Sequence, residues 1–271
     1  MLNCLILESM VFKSAFEGLS QFADEIQIQA DSEGLSVHAL DKSHIVFTEL
    51  ELKPHFFNEY ECTEPLKLNV DLEEFQKVLK RIGAADNICL EATKDGSELT
   101  VKAYGRVTGE DIQRTFYIQL TDLEYEQPQP PALDYPNQFQ INLKSFKRTV
   151  EDVALFSHTI ILDYDSKNEC LTSCGEGDFG RSKVRQRTFY NGIDPEPGKV
   201  IVTVEKLQSI LKADKFSPEI YLQVGNDVPL SLELHHSIDE LTDENGITEM
   251  HHEIVGRLKF LVAPRIESEE E

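Results

Sequence analysis

No apolar run in this chain approaches the roughly 20 residues that a membrane-spanning helix needs. The opening segment MLNCLILESM lacks the basic stretch that precedes the apolar core of a secretory signal, so it is expected to be a first strand. Cysteine is sparse: Cys4, Cys62, Cys89, Cys170 and Cys174, an odd number scattered through apolar segments. That argues against a disulfide framework and for reduced thiols in an intracellular protein. Cys170 and Cys174 form a close pair, but a structural zinc site normally uses four ligands at matched spacings. Basic residues are also few, 26 against 49 acidic ones, for a net charge of −23. This argues against tight binding of phosphates by the bulk surface. It leaves room for a few cations gathered on one face, with the acidic remainder turned away.

What is present suffices for a core. The chain has 271 residues, 40% apolar and 28% charged, enough for one large domain or two of ordinary size. It is also written twice. VFKSAFEGLSQFADEIQIQADS, from Val11, overlays SFKRTVEDVALFSHTIILDYDS, from Ser145, at a shift of 134. Phe12 falls on Phe146, Phe16 on Val150, Leu19 on Val153 and Ile26 on Ile160. LNVDLEEFQKVLKRIGAADNICLEA, from Leu68, overlays IVTVEKLQSILKADKFSPEIYLQV, from Ile201, at a shift of 132. Val70 falls on Val202, Leu72 on Val204, Phe75 on Leu207 and Leu79 on Leu211. Two overlays in order, at nearly the same offset, mark a duplicated plan.

Each half reads as a strand, a helix, several strands, a second helix and more strands, an α+β fold. Leu72, Phe75, Leu79 and Ile82 follow the 3.6 period, as do Leu143, Phe146, Val150 and Val153. Asp71 and Asn142 stand before them as N-caps. Strands are expected at 34–40, 45–52, 99–103, 115–120, 199–204, 230–234 and 257–261. Asp95-Gly96, Asn191-Gly192 and Asn245-Gly246 are turn signals. Between the halves, LTDLEYEQPQPPALDYP carries prolines at 128, 130, 131 and 136, which favour a stiff extended connector. The expected division is 1–119, a connecting loop at 120–136, and 137–271.

All four helices carry cations off their apolar stripes. Lys77, Lys80 and Arg81 share a face by their i, i+3, i+4 spacing, and Lys144, Lys147 and Arg148 repeat it. Lys13 lies on the first helix; Lys206 and Lys212, with Lys215 just beyond, belong to the fourth. On any one helix this is a solvated face. In four repeat-related helices of an acidic protein it suggests a positive track that follows phosphates without reading bases.

Several stretches resemble the sliding clamps of the proliferating cell nuclear antigen family, archaeal and eukaryotic type. LDKSHIVFTELEL from Leu40, DLEEFQKVLKRIGAAD from Asp71, LTDLEYEQ from Leu120, NDVPLSLEL from Asn226 and LKFLVAPRIESEEE from Leu258 carry the likeness, in order along nearly the whole chain. The resemblance implies two β-α-β-β-β repeats per domain and two domains per subunit. Three subunits would close a homotrimeric ring with helices lining the hole and sheets outside. It implies a processivity factor without chemistry or cofactor, which encircles duplex DNA and tethers polymerase and other replication and repair proteins after a clamp loader places it. Such a protein is intracellular, nucleoid-associated in the cytoplasm or nuclear according to its source.

Residue by residue, the resemblance implies phosphate contacts by Lys13, Lys77, Lys80, Arg81, Lys147, Arg148 and Lys212. A groove for partner peptides would include Leu40, His44, Phe47, Leu123, Tyr125, Gln127, Pro229, Phe260, Ala263 and Pro264, with Phe47 alternatively closing the core. RSKVRQR alternates Arg181, Lys183, Arg185 and Arg187 on one side of a strand. In the family that edge pairs with the neighbouring subunit's edge, here about 113–120 with Thr115 and Tyr117. Carboxylates facing the four cations would make a trimer that loosens with salt. Two other readings of this row are charges that deter uncontrolled edge pairing, and contact with DNA.

Some features depart from the family pattern. Glu151 and Glu205 stand near positions that often hold a base. Pro128 and Pro130 replace apolar side chains of the connector. The stretch 235–256 is longer than the usual turn and is expected to form an exposed hairpin or loop. Two other functions compete: a subunit of a hetero-oligomeric or checkpoint-type clamp, and a metal-dependent enzyme. For the latter, His235, His236, His251 and His252 would have to gather an ion across a hairpin. GEGDFG at 175–180 fits G-x-G-x-x-G, but a strand follows it where a phosphate cradle needs a helix, so it reads as a hairpin turn.

Overall fold

The computed structural model describes residues 1–105, 112–122, 128–131, 133, 135, 137–190, 196–242 and 248–265, the side chains of 189–190, 240–242 and 248–251 excepted. The element order repeats, as the doubled sequence requires. In the first half it runs β1 (Leu2–Ile6), α1 (Ser9–Leu19), β2 (Glu25–Asp31), β3 (Gly34–Leu40), β4 (Val46–Leu52), β5 (Glu59–Cys62), β6 (Leu66–Asp71), α2 (Leu72–Arg81), β7 (Asn87–Ala92), β8 (Glu98–Tyr104) and β9 (Gln113–Gln119). In the second it runs β10 (Phe139–Asn142), α3 (Leu143–Ala154), β11 (Thr159–Asp165), β12 (Cys170–Gly177), β13 (Gly180–Arg187), β14 (Phe189–Tyr190), β15 (Gly198–Thr203), α4 (Val204–Ile210), β16 (Glu219–Gln223), β17 (Leu230–Thr242) and β18 (Thr248–Val262). The fold is α+β, with the same order of strands and helices in both halves.

Contacts divide the chain into two compact units. The first comprises Met1–Ala39, Thr48–Gln129 and His235–Leu258. It holds the antiparallel sheet β5-β1-β7-β8-β9, and a second set in which β18, β4, β3, β2 and β6 lie side by side. The other unit comprises Leu40–Phe47, Pro130–Leu234 and Lys259–Glu271, with the sheet β13-β12-β11-β15 and a row of β14, β10, β16, β17 and β18.

The helices begin where the sequence places their caps. The Asp71 carboxylate accepts from Glu74 N–H at 2.9 Å, and Asn142 Oδ1 accepts from Ser145 N–H at 3.1 Å. Each satisfies an otherwise unpaired first-turn donor. Repeat-related positions are buried alike. Phe12, Phe16 and Leu19 in one unit answer Phe146, Val150 and Val153 in the other, and Leu72, Phe75 and Leu79 answer Val204, Leu207 and Leu211. The first unit's core centres on Phe12, Phe16 and Phe75, with centroids 4.7 to 6.4 Å apart. In the other unit Phe139 stacks on Tyr164 at 4.4 Å. The fourth helix is shorter than its counterpart: after Ile210 the chain tightens into a 3-10 turn over Leu211–Ala213, yet Leu211 still reaches the core.

The strands exceed their expected lengths mainly at the long hairpin. The stretch 235–256 is not a separate loop; it continues β17 to Thr242 and begins β18 at Thr248. The hairpin-turn reading of GEGDFG also holds: Gly177 pairs with Gly180 across Asp178 and Phe179. Gly34 is required where it stands, because its φ is +126° and a Cβ there would lie 2.0 Å from the Leu52 carbonyl oxygen. Asn191-Gly192 and Asn245-Gly246 lie outside the described residues.

Candidate nucleic-acid and partner interfaces

The seven cations expected to contact phosphates divide by environment. Lys80, Arg81, Arg148 and Lys212 are exposed. Lys77 is exposed too, but the Glu74 and Glu73 carboxylates sit 2.8 and 2.9 Å from its ammonium and raise its pKa. Lys147 is half-buried and paired with Asp214 at 2.8 Å. Lys13 turns back onto the body, where its ammonium donates to the Ile82 carbonyl at 2.5 Å. Burial lowers its pKa, against the opposing pull of Asp86 and Glu17. The i, i+3, i+4 spacing identified which residues share a face. It could not show that Glu73 and Glu74, one turn earlier, would neutralise one of them.

Four residues of the expected groove, Leu40, His44, Phe47 and Ala263, meet at one short loop. His44 adopts φ +57°, the left-handed turn that lets 41–46 double back. Asp41 organises this loop and is only 5% exposed. One carboxylate oxygen accepts from the N–H groups of Ile45 at 2.6 Å and Val46 at 2.8 Å. The other accepts from the Ser43 hydroxyl at 2.5 Å and the Lys206 ammonium at 2.9 Å. Burial alone would raise the carboxyl's pKa; these four donors outweigh it and hold the pKa at about 2. The last strand closes on the same loop through Ala263 N–H to the Ile45 carbonyl, 2.8 Å.

Leu40 is 37% exposed, beside Ile45 at 38%, an apolar residue that the sequence reading missed. Phe47 is buried, and Phe260 is wholly buried, so Phe260 sits in the core and offers no exposed groove surface. Pro264 lines a cleft of about 430 Å³ with Lys199, Asn226 and Arg265. Pro229 precedes β17, where its carbonyl accepts the Tyr135 hydroxyl at 2.6 Å. Leu123, Tyr125 and Gln127 lie outside the described residues.

The basic row stands as its alternation requires. Arg181, Lys183, Arg185 and Arg187 are all exposed on β13, the end strand of its sheet, while Ser182, Val184 and Gln186 between them are half-buried. Arg185 donates to the Cys170 sulfur at 3.4 Å. β9 is an end strand of its own sheet, with Thr115 half-buried and Tyr117 65% exposed. β9 itself carries no carboxylate, so any acidic counterpart of the basic row has to come from another segment.

The metal-enzyme features are dispersed. Cys170 and Cys174 lie four residues apart on β12, about 13 Å at strand rise. His236 packs edge-on against Phe56 and lies 3.4 Å from Glu8, while His252 pairs with Asp239. The His251 side chain lies outside the described residues. Among the described residues no group of three or more His, Cys, Asp or Glu side chains could hold an ion, and no helix is long and apolar enough to cross a membrane.

These features define a class: a doubled α+β chain whose helices carry basic residues and in which β9 and β13 each form one end of a sheet. Comparison with known proteins agrees. The family profile described as Proliferating cell nuclear antigen, N-terminal domain, matches residues 1–127. The chain is 37% identical over 262 residues to the DNA polymerase sliding clamp of Methanothermobacter thermautotrophicus, covering 96% of each. It is 35% identical over 270 residues to that of Methanobrevibacter smithii, covering 100% of both. It is 27% identical over 273 residues to DNA polymerase sliding clamp 1 of Thermococcus kodakarensis, covering 95% of this chain and 100% of that one. The chain belongs to the DNA polymerase sliding clamp family.

Proposed function

We propose that three copies of this chain close a ring around duplex DNA and tether a DNA polymerase to it, with no catalysis by the ring itself. The observation that carries this reading is the end-to-end match to proteins named DNA polymerase sliding clamp, in a chain whose two halves bury the same repeat-related positions. The repeats 1–119 and 137–271, joined by the connector 120–136, would each supply two helices to the hole. Topological linkage explains how a chain of net charge −23 can serve on DNA. A closed ring needs no tight phosphate grip, and a few exposed cations such as Lys80, Arg81, Arg148 and Lys212 ease sliding. The partner groove is proposed at Leu40, His44, Ile45, Ala263 and Pro264, with the connector contributing backbone hydrogen bonds to a bound peptide. The working place is intracellular, on chromosomal DNA. The test is retention on circular DNA after loading, with release when the circle is cut, together with longer products from a cognate polymerase. Equal retention on linear and circular DNA would refute the topological reading. A chain that stays monomeric alone at all concentrations would point to a hetero-oligomeric ring.

A further inference from the structure

The chain leaving β9 is tied down at two points within the first unit. At Thr121, the main-chain N–H donates to the Asn69 carbonyl at 3.0 Å, and the Thr121 carbonyl accepts from Asn69 Nδ2 at 3.2 Å. Gln27 Nε2 in turn holds Asn69 Oδ1 at 2.9 Å, which fixes that amide's orientation. Seven residues on, the Pro128 carbonyl lies 3.2 Å from His38 Nδ1 on β3. Prolines at 128, 130 and 131 have no N–H, so this stretch cannot pair with a sheet as a strand does. A side chain rising from the sheet can still hold its carbonyls.

His38 is built for that task. Its side chain is largely buried, and its other nitrogen, Nε2, lies 3.4 Å from Glu49 Oε1 on β4. The same Glu49 oxygen is 3.4 Å from Arg257 Nη2 on β18, and Arg257 also holds Glu51 at 3.0 Å. Glu49 on β4 thus links the ring to Arg257 on β18, which also holds Glu51. A carbonyl and a carboxylate can only accept. In the Pro128 contact Nδ1–H is therefore the donor, with Nε2 turned toward Glu49.

We propose that His38 is a positioning residue that pins the connector at Pro128, with Glu49 setting its ring, so that the connector meets a partner peptide already in place. The effect on peptides rests on the groove reading given above; the pin itself does not. Fixing Pro128 before a peptide arrives lowers the ordering cost of binding, which is how preorganisation raises affinity. The ring donates one hydrogen bond to the connector.

The experiment uses the full chain, with hydrogen exchange of the connector read by mass spectrometry as protection relative to intrinsic rates. A short peptide with apolar and aromatic anchors is titrated in parallel. His38→Ala should lower connector protection about tenfold and weaken the peptide by a similar factor. His38→Gln should restore both, because its amide N–H can reach the Pro128 carbonyl. Unchanged connector protection in His38→Ala, or a Gln variant that behaves like Ala, overturns the pin. If wild type binds no peptide while protection still responds to His38, the pin stands and the groove reading fails.

Discussion

Asp41 is a single side chain on which the proposed partner groove depends. Its carboxylate collects four donors: the Ile45 and Val46 N–H groups, the Ser43 hydroxyl and the Lys206 ammonium. Replacing it by Asn keeps the shape but removes the charge and puts an N–H₂ where an acceptor is needed. The depressed pKa gives the scale. A shift from 3.8 to about 2 corresponds to about 2 kcal/mol of native-state stabilisation of the ionised form. Because the folded pKa lies below the unfolded one, this stabilisation is complete above pH 3.8 and is lost as pH falls through 2. Asp41→Asn should therefore cost about 2 kcal/mol in urea unfolding at neutral pH. In wild type, the Asp41 carboxyl carbon followed by NMR should titrate near pH 2. The variant should also loosen peptide binding, since Leu40, His44 and Ile45 lose their shared anchor. A carboxyl that titrates at the ordinary value, together with a cost below about 0.5 kcal/mol, would refute the reasoning.

Neutralising Lys80, Arg81, Arg148 and Lys212 together should shorten polymerase products and flatten the salt dependence of DNA binding by up to about four counterions, with the ring intact; an unchanged slope refutes their phosphate contact. Lys77→Ala should change DNA binding less than Lys80→Ala, because Glu73 and Glu74 already hold its charge; equal losses in binding assays would contradict that. Leu40→Ser with Ile45→Ser should abolish peptide binding at little cost in stability, since both are over a third exposed; a calorimetric titration that still shows binding removes them from the groove.

The helices and their caps were legible because their signals are local: a 3.6 period, an Asp or Asn before it, and a repeat that presents the pattern twice. The groove was legible only in part, because it depends on burial. Phe260 and Leu40 look alike as apolar residues in family-like motifs, yet one is wholly buried and the other over a third exposed. Ile45 follows a left-handed His44, and nothing in the local pattern shows that this turn brings the side chain out. Lys206 read as one more helical cation; its salt bridge to Asp41 spans 165 positions, and no spacing rule reaches that far. His38 carried one faint signal, a polar ring on the outward beat of GLSVHAL, where alternation alone expects a solvated side chain.

The last prediction concerns how ring closure responds to salt. If β13 of one copy meets β9 of the next, Arg181, Lys183, Arg185 and Arg187 approach a strand of Gln113, Arg114, Thr115, Phe116, Tyr117, Ile118 and Gln119. No carboxylate on that strand faces the row. Alternate cations on a strand are about 7 Å apart, which costs about 0.6 kcal/mol per neighbouring pair in water. Salt relieves this repulsion, since the Debye length falls from about 10 Å at 0.1 M to about 3 Å at 1 M. The favourable contacts are main-chain hydrogen bonds and the exposed Tyr117 ring, which can lie against a guanidinium for about 0.5–1 kcal/mol. Salt weakens neither as it would weaken an ion pair. The edges as they stand thus predict the reverse of a salt-loosened trimer: a particle of three 30.8 kDa chains whose dissociation constant holds or tightens from about 0.1 M to about 1 M salt. Tyr117→Ala should weaken it, by about 1 kcal/mol per interface. Light scattering across that range decides between the two. Dissociation on adding salt would mean that carboxylates from outside β9 reach the row, and that its cations close the ring by ion pairing after all.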